Sequence, residues 1–455
     1  MVDRTGTGLR EIGMNTPLKS ALRMALGLSW MLPLCAAAQD VPATLLRILP
    51  SEALVQGALD DSLELQAARA GVDRVLAEAE LRQRGPHEAS LTADWLRRDV
   101  DQEGRFSEWN LGISQALRWP KKRGIDHATA ARMTDLARAT AEDVRHQVAL
   151  DLLQSWMQWR VASDLMRSVA AREAATQREW QAMQTQWQVG QASAAELDAL
   201  TQLQAEVRAE ALVVQQHQQA AESALRTRYP QLVPQISEDV PELPLPERLS
   251  PPEEGWWTVV ESHSHELEMV RQQMLIADLA ANRQAAERRP DPTLGLRVLS
   301  ERDGAERGVG LTLSIPLGVA RRGWQAQQAT AYAAELSARL NAEVREMKLA
   351  LQQREQAANA LWQQWQAWQA AALAAETRAE RLKIGWELGD VAFDLLLQSR
   401  RAAAEARTRE IEARAAVYLA NAGLLLDAHA FWLGHPSHES QETDRQRAGD
   451  GLSAQ

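Results

Sequence analysis

The sequence predicts a mainly α-helical chain with a small β component, built as two long helical hairpins that are each preceded by a pair of short strands. Three observations predict it. A glycine sits in the same setting twice, in Val189-Gly190-Gln191-Ala192-Ser193 and in Leu388-Gly389-Asp390-Val391-Ala392, 199 residues apart. Each glycine interrupts a very long helical pattern, and each pattern follows two segments in which apolar and polar residues alternate. Self-similarity of this kind means that one structural unit was made twice.

The chain opens on a different kind of segment. Lys19 and Arg23 precede an apolar run from about Met24 to Leu34, and Ala36 and Ala38 supply a small-x-small cleavage site. Residues 1–38 therefore read as a secretory signal peptide, removed ahead of Gln39. The run is shorter than the ~20 residues a membrane-spanning helix needs. Cys35 is the only cysteine, and the bulky Leu34 before it argues against lipid attachment. The mature chain can then hold neither a disulfide nor a thiolate metal site.

Net charge is −11, and the signal carries four basic and two acidic residues, so its removal leaves −13, which disfavours nucleic acid as a partner. No nucleophile elbow, phosphate loop, HExxH or paired-cysteine motif occurs, so neither enzyme activity nor a cofactor is expected.

The first repeat spans 39–232 and the second 255–433. In each, a helix comes first: Ser62 to Gln83 is matched by Ser264 to Glu287, and Pro86 and Pro290 stop them. Strand pairs follow at 89–98 and 107–117, and at 292–299 and 308–317. Leu91, Ala93 and Trp95 alternate with polar neighbours, as do Trp109, Leu111 and Ile113, then Leu294, Leu296 and Val298, then Val309, Leu311, Leu313 and Ile315. Charged, turn-rich links, Arg97 to Ser107 and Ser300 to Gly308, join the pairs. Such hairpins suit a soluble sheet, or a transmembrane barrel with its apolar face outward; the secretory signal and the lack of another core-forming domain favour the barrel.

Basic turns, Lys121-Lys122-Arg123-Gly124 and Arg321-Arg322-Gly323, lead into helical sequence of about 60 residues, which would be ~90 Å long. In the second copy Leu336, Leu340, Val344, Met347, Leu351, Ala358, Leu361, Trp365, Trp368 and Ala372 recur at coiled-coil steps, with Arg354 interrupting the seam. After Gly190 and Gly389 a helix returns, through Glu196 to about Arg228 and through Asp394 to about Leu426. The linker 233–254 lies in a stretch from Pro230 to Pro252 with seven of the 17 prolines, a linker or a belt around the rods rather than a core. The tail 434–455 is polar and expected to be disordered.

Four strands cannot close a transmembrane barrel, for which about eight is the smallest common number. An open edge in lipid would leave backbone groups unsatisfied. The strands must then be pooled among protomers, eight from two copies or twelve from three.

From about Ser51 to Trp432 the chain resembles the TolC-like outer-membrane efflux proteins. The residues that carry the resemblance are the duplication itself, Gly190-Gln191-Ala192-Ser193-Ala194-Ala195-Glu196-Leu197, and Gly389 followed by Leu395-Leu396-Leu397 and Arg400-Arg401. Asp291-Pro292-Thr293-Leu294-Gly295-Leu296, Ser300-Glu301-Arg302-Asp303-Gly304 and Leu313-Ser314-Ile315-Pro316-Leu317-Gly318 look most like its heavy-metal branch.

The resemblance implies a homotrimer with a twelve-stranded barrel in outer-membrane lipid and a long α-helical barrel in the periplasm. It implies a passive conduit joined through a periplasmic adaptor (membrane fusion) protein to an inner-membrane resistance-nodulation-division pump. Divalent heavy metals are the implied cargo, with organic compounds or type I secretion as alternatives. Val189, Gly190, Gln191, Ala192, Leu388, Gly389, Asp390 and Val391 would contact the adaptor. An acidic residue six positions after the tip glycine belongs to the family's constriction; Glu196 fits, whereas the second copy has Leu395 there, with Asp394 and Asp390 nearby. Glu196, Asp390 and Asp394 are therefore the gate candidates.

Readings from another class are a periplasmic adaptor, which would carry one hairpin rather than two, and a soluble coiled-coil scaffold, which leaves the strands unexplained. Among nine histidines, His263 and His265 read as an i, i+2 pair on a helix, pointing apart, so no metal site is expected.

Overall fold

The computed structural model describes residues 41–236 and 240–433. The signal segment 1–38 and the tail 434–455 lie outside the described residues.

Short helices α1 (Ala43–Ile48) and α2 (Glu52–Asp60) precede α3 (Leu63–Arg84). Ser62 starts α3 because its hydroxyl accepts from the Leu65 amide at 3.2 Å, and Gly85, at φ 89°, ends it. Strands β1 (Ser90–Val100) and β2 (Gly104–Ala116) follow. The rod α4 (Pro120–Gln188), begun by proline at its first position, then turns into α5 (Ala194–Arg228).

After α6 (Val233–Ile236), the second repeat runs as α7 (Trp256–His263), α8 (His265–Ala286), β3 (Thr293–Glu301), β4 (Glu306–Ser314), α9 (Val319–Glu387) and α10 (Phe393–Asp427). The two rods have 69 residues each, about 100 Å at 1.5 Å per residue, and the return helices 35 each. Both rods and both return helices keep the 199-residue offset at their two ends, so neither hairpin has gained or lost a residue against the other.

Each strand pair is a tighter hairpin than the sequence suggests. Composition places the links from Arg97 to Ser107 and from Ser300 to Gly308. Instead, β1 pairs with β2 out to Val100 and Gly104, and β3 with β4 out to Glu301 and Glu306. Positive φ at Gln102, Gly104, Arg302, Asp303 and Gly304 makes these turns short, and charged residues continue the ladder through cross-strand pairs such as Arg98–Glu108 (2.7 Å) and Arg105–Asp99 (2.9 Å). The four strands form one antiparallel sheet in sequence order, with β2 of the first repeat beside β3 of the second.

The main core sits midway along the rods. Leu152, Leu153, Trp156 and Met157 of α4 pack with Tyr418 and Leu424 to Leu426 of α10 and with Leu45, Val55 and Leu59 from the N-terminal helices. Each such leucine contributes ~1.5–3 kcal/mol by leaving water. All ten seam residues expected on α9 are buried or half-buried, while Arg354 turns outward to pair with Asp427.

The proline-rich stretch is a belt. Arg160 donates to Pro241 O at 2.8 Å, Leu243 N to Asp164 at 2.9 Å, and Tyr418 Oη to Pro244 O and Leu245 O at 3.2 Å each. Leu243 itself enters the core, beyond what the composition suggests.

Candidate functional site: the hairpin tips and the exposed sheet

The two tips close by the same hydrogen bonds. Gly190 N donates to Trp187 O at 3.0 Å and Gln191 N to Gln186 O at 2.8 Å; Gly389 N donates to Trp386 O and Asp390 N to Gly385 O, both at 2.9 Å. This is the Schellman closure, and it places each glycine at positive φ, 74° and 80°. The residue before each glycine projects outward: Val189 is 66% exposed and Leu388 73%. Gln191 and Asp390 are exposed, and Ala192 and Val391 are half-buried. Each tip thus exposes an apolar side chain at its apex, at matching positions.

Beyond the glycines the copies diverge. Ser193 begins α5 with a full capping box: its hydroxyl accepts from Glu196 N at 3.2 Å, and Glu196 Oε2 accepts from Ser193 N at 2.9 Å and Ser193 Oγ at 2.8 Å. The Ser193 backbone bond, then its hydroxyl, holds the Glu196 carboxyl below the usual carboxylate range. The S-x-x-E spacing is the sequence signal for this cap, a role of Glu196 separate from its gate candidacy. In the second copy Ala392 stands at the cap and makes no side-chain bond. Packing substitutes there, with Phe393 buried and its ring 5.1 Å from that of Trp386. Asp390 and Asp394 are exposed.

The tips also meet each other. Met183, Leu200, Leu203 and Val207 of the first hairpin share an apolar cluster with Phe393, Leu396 and Leu397 of the second. Arg400 reaches across to Glu179, and Arg401 to Glu206 at 2.9 Å.

At the opposite end, register settles the faces of the sheet. Leu91, Ile113, Leu296 and Leu311 form one cross-strand row, and Ala93, Leu111, Val298 and Val309 the next. The large side chains of both rows are exposed, Leu311 by 88%. The reverse face carries Thr92, Gly112, Arg297 and Gly310, then Asp94, Asn110, Leu299 and Gly308. Across the sheet the apolar rows run from Trp109 to the Leu294–Leu313 pair, ~20 Å along the strands, with Gln115 interrupting them on β2. Trp95 and Trp109 pair at one border, and Trp119 lies beyond the other. No helix among the described residues is long and apolar enough to cross a membrane.

One grouping is not what the sequence spacing implies. His263 and His265 are not on one helix: His263 ends α7, His265 begins α8, and the extended Ser264 between them caps α8. Both rings therefore face His429, at 5.0 and 5.1 Å between centroids, and His146 of α4 stacks on His429 at 5.7 Å. Asp143, Glu266, Glu343, Glu346, Arg354 and Asp427 line the same cavity. No three His, Asp or Glu side chains among the described residues form a metal-binding group.

No protein-family model matches the chain, and no curated protein matches it by sequence. Solved structures do match it in fold. The outer membrane protein VceC of Vibrio cholerae superposes with a TM-score of 0.67 at 15% identity, over 83% of this chain and 95% of VceC. The CmeC outer membrane channel of Campylobacter jejuni gives 0.69 at 11% identity, over 88% and 89%. CusC, solved in a study of folding and transmembrane channel formation, gives 0.66 at 13% identity, over 84% and 92%. This chain therefore has the protomer fold of outer-membrane channels, mainly helical with a small antiparallel sheet.

Proposed function

We propose that the chain is the outer-membrane channel subunit of a tripartite efflux system, a passive homotrimeric conduit from periplasm to exterior. One observation carries this reading. A four-stranded sheet with free edges at β1 and β4 exposes two full cross-strand rows of apolar side chains on one face. In water such a face would be a liability. In lipid the edges must pair, and three copies pooling strands yield a closed twelve-stranded barrel. Fractionation of the full chain tests it: heat-modifiable trimers in the outer membrane are expected, and a soluble monomer overturns the reading.

The exposed tips support a periplasmic adaptor as the partner. Val189 and Leu388 are placed against the periplasmic adaptor, with Gly190, Gln191, Ala192, Gly389, Asp390 and Val391 shaping the contact, and an inner-membrane resistance-nodulation-division pump supplies the energy. As gate residues at the constriction we rank Asp390 and Asp394, whose carboxylates are exposed, ahead of Glu196, whose oxygens serve the cap. A divalent heavy-metal cation is the cargo, supported by the Asp291–Leu296 and Leu313–Gly318 motifs. Loss of metal tolerance on deletion of the chain is the expected result; loss of tolerance to organic compounds alone overturns that cargo.

A further inference from the structure

The end of the sheet that joins the helices is strongly basic, and the hairpin-turn end is not. Residues 82–90, 117–124, 287–292 and 315–323 contain ten Lys and Arg against three Asp and Glu, whereas 97–107 and 301–308 contain five against six. At the hairpin-turn end cations and acids pair across strands, as in Arg98–Glu108 and Arg302–Glu103 (2.9 Å).

At the helix end nine of these ten cations fall into two groups, and Arg322 donates to Pro316 O at 3.2 Å. Arg82, Arg118 and Lys122 turn inward onto Asp126, Glu287 and Asp291. Arg84, Lys121, Arg123, Arg288, Arg289 and Arg321 are exposed. These six sit where α3 and α8 end and where α4 and α9 begin, four junctions held side by side. Arg118 donates to Arg82 O and Gln83 O, and the Trp119 indole donates to Pro290 O at 2.9 Å.

A second, independent feature lies at the same level. Leu317, Trp119 and Trp324 are exposed directly beside the cations. An apolar and aromatic border with cations beyond it matches a membrane interface, where tryptophan sits at headgroup depth and arginine or lysine reaches phosphate. Rods α4 and α9 begin here with no acid in the first turn and no side-chain cap, so their unsatisfied amides add to the positive field.

We propose that this collar binds the phosphates of anionic glycerophospholipids in the periplasmic leaflet of the outer membrane, which sets the depth of the barrel. The inference rests on the outer-membrane reading above. Lipid is the occupant favoured by the juxtaposition, because a soluble anion would use the cations but not Leu317, Trp119 and Trp324.

The test uses the full chain purified in detergent, wild type beside a Lys121→Gln, Arg123→Gln, Arg288→Gln, Arg321→Gln variant. Native mass spectrometry would count retained phosphatidylglycerol against phosphatidylcholine, and flotation with pure phosphatidylcholine vesicles would report insertion separately. Wild type is expected to float, to retain the anionic lipid several-fold over phosphatidylcholine, and to lose that preference with added salt. The variant is expected to float with the preference abolished. Flotation of wild type with equal retention of both lipids overturns the collar and leaves the channel standing, as does a variant that keeps the wild-type preference. If neither protein floats, the membrane reading fails and the collar with it.

Discussion

The Trp386 indole Nε1 points at Glu196 Oε1, 3.5 Å away, so the end of α9 in the second repeat meets the first turn of α5 in the first. The same carboxylate completes the Ser193 capping box. Two tips that look alike in sequence are therefore held in different ways, one by a cap and one by aromatic packing. Ser193→Ala should cost ~1 kcal/mol of local stability. Hydrogen exchange should rise at 194–197 and stay unchanged at 393–396. Because the Glu196 pKa is held below its ordinary value, its contribution is complete above the usual carboxylate range and is lost as pH falls through the lowered value.

Gly190 and Gly389 have open space where a Cβ would stand, so a side chain there meets the backbone penalty of positive φ, ~1–2 kcal/mol each for an ordinary residue and more for β-branched valine. The double Gly→Val variant should form normal trimers on heat-modifiability gels and lose adaptor-dependent efflux. Unchanged efflux would remove these tips from the docking site.

Gly385 differs, because a Cβ would come within 2.6 Å of Val391 Cγ2. Gly385→Ala should displace Val391 and loosen the second tip. Val391→Ala in the same chain should restore exchange protection at 393–396, a coupling of ~0.5–3 kcal/mol in a double-mutant cycle.

Lys122 is 1% exposed and bridges Glu287 (2.7 Å) and Asp291 (3.0 Å). Burial pushes Asp291 upward, but bonds from His87, Lys122 and the Trp119 amide outweigh it, and Asp291 ends below the usual range; Glu287 behaves alike through Lys122 and Arg283. Lys122→Met should destabilise the strand–helix junction by ~3 kcal/mol, read from denaturant midpoints. The stability these two acids supply is full above the ordinary carboxylate range and disappears as pH drops through their lowered values.

Burial lowers the His265 pKa, reinforced by His146 and His263 and opposed by Glu142 and Asp143. The folded state thus binds fewer protons there than the unfolded chain. Stability at this seam should be complete above about pH 6.5, the ordinary histidine value, and fall below it. Protection factors at the start of α8, corrected for the intrinsic pH dependence of exchange, should fall as pH is lowered through that value, and His265→Gln should flatten the dependence.

Leu311→Arg on the apolar face should cost ~2–4 kcal/mol of membrane stability at mid-depth and reduce trimer yield. Thr312→Arg, one position along on the reverse face, should leave yield unchanged.

Much of the fold is legible locally. The tip glycines, Pro120, Ser62, Ser264 and the S-x-x-E of Ser193 encode turns and caps through bonds that span three to five residues, which short-range sequence can specify. The period-two and coiled-coil patterns likewise reveal which side of each element is apolar. His263 and His265 mislead because they flank that Ser264 cap and so belong to two helices, where the i, i+2 spacing rule for a single helix does not apply.

By itself the sequence determined the duplication, the equal lengths of the hairpins and the apolar face of each strand, since all three follow from local hydrogen bonding and periodicity. Tertiary structure decided the contacts between the repeats. It set β2 beside β3, with Ile113 opposite Leu296 across 183 residues. It also brought Glu196 to Trp386, buried Lys122 between two acids and gathered four histidines around one cavity. Such pairings depend on which of many similar apolar faces pack together, and that choice is made by the summed fit of whole elements rather than by any neighbour in the chain.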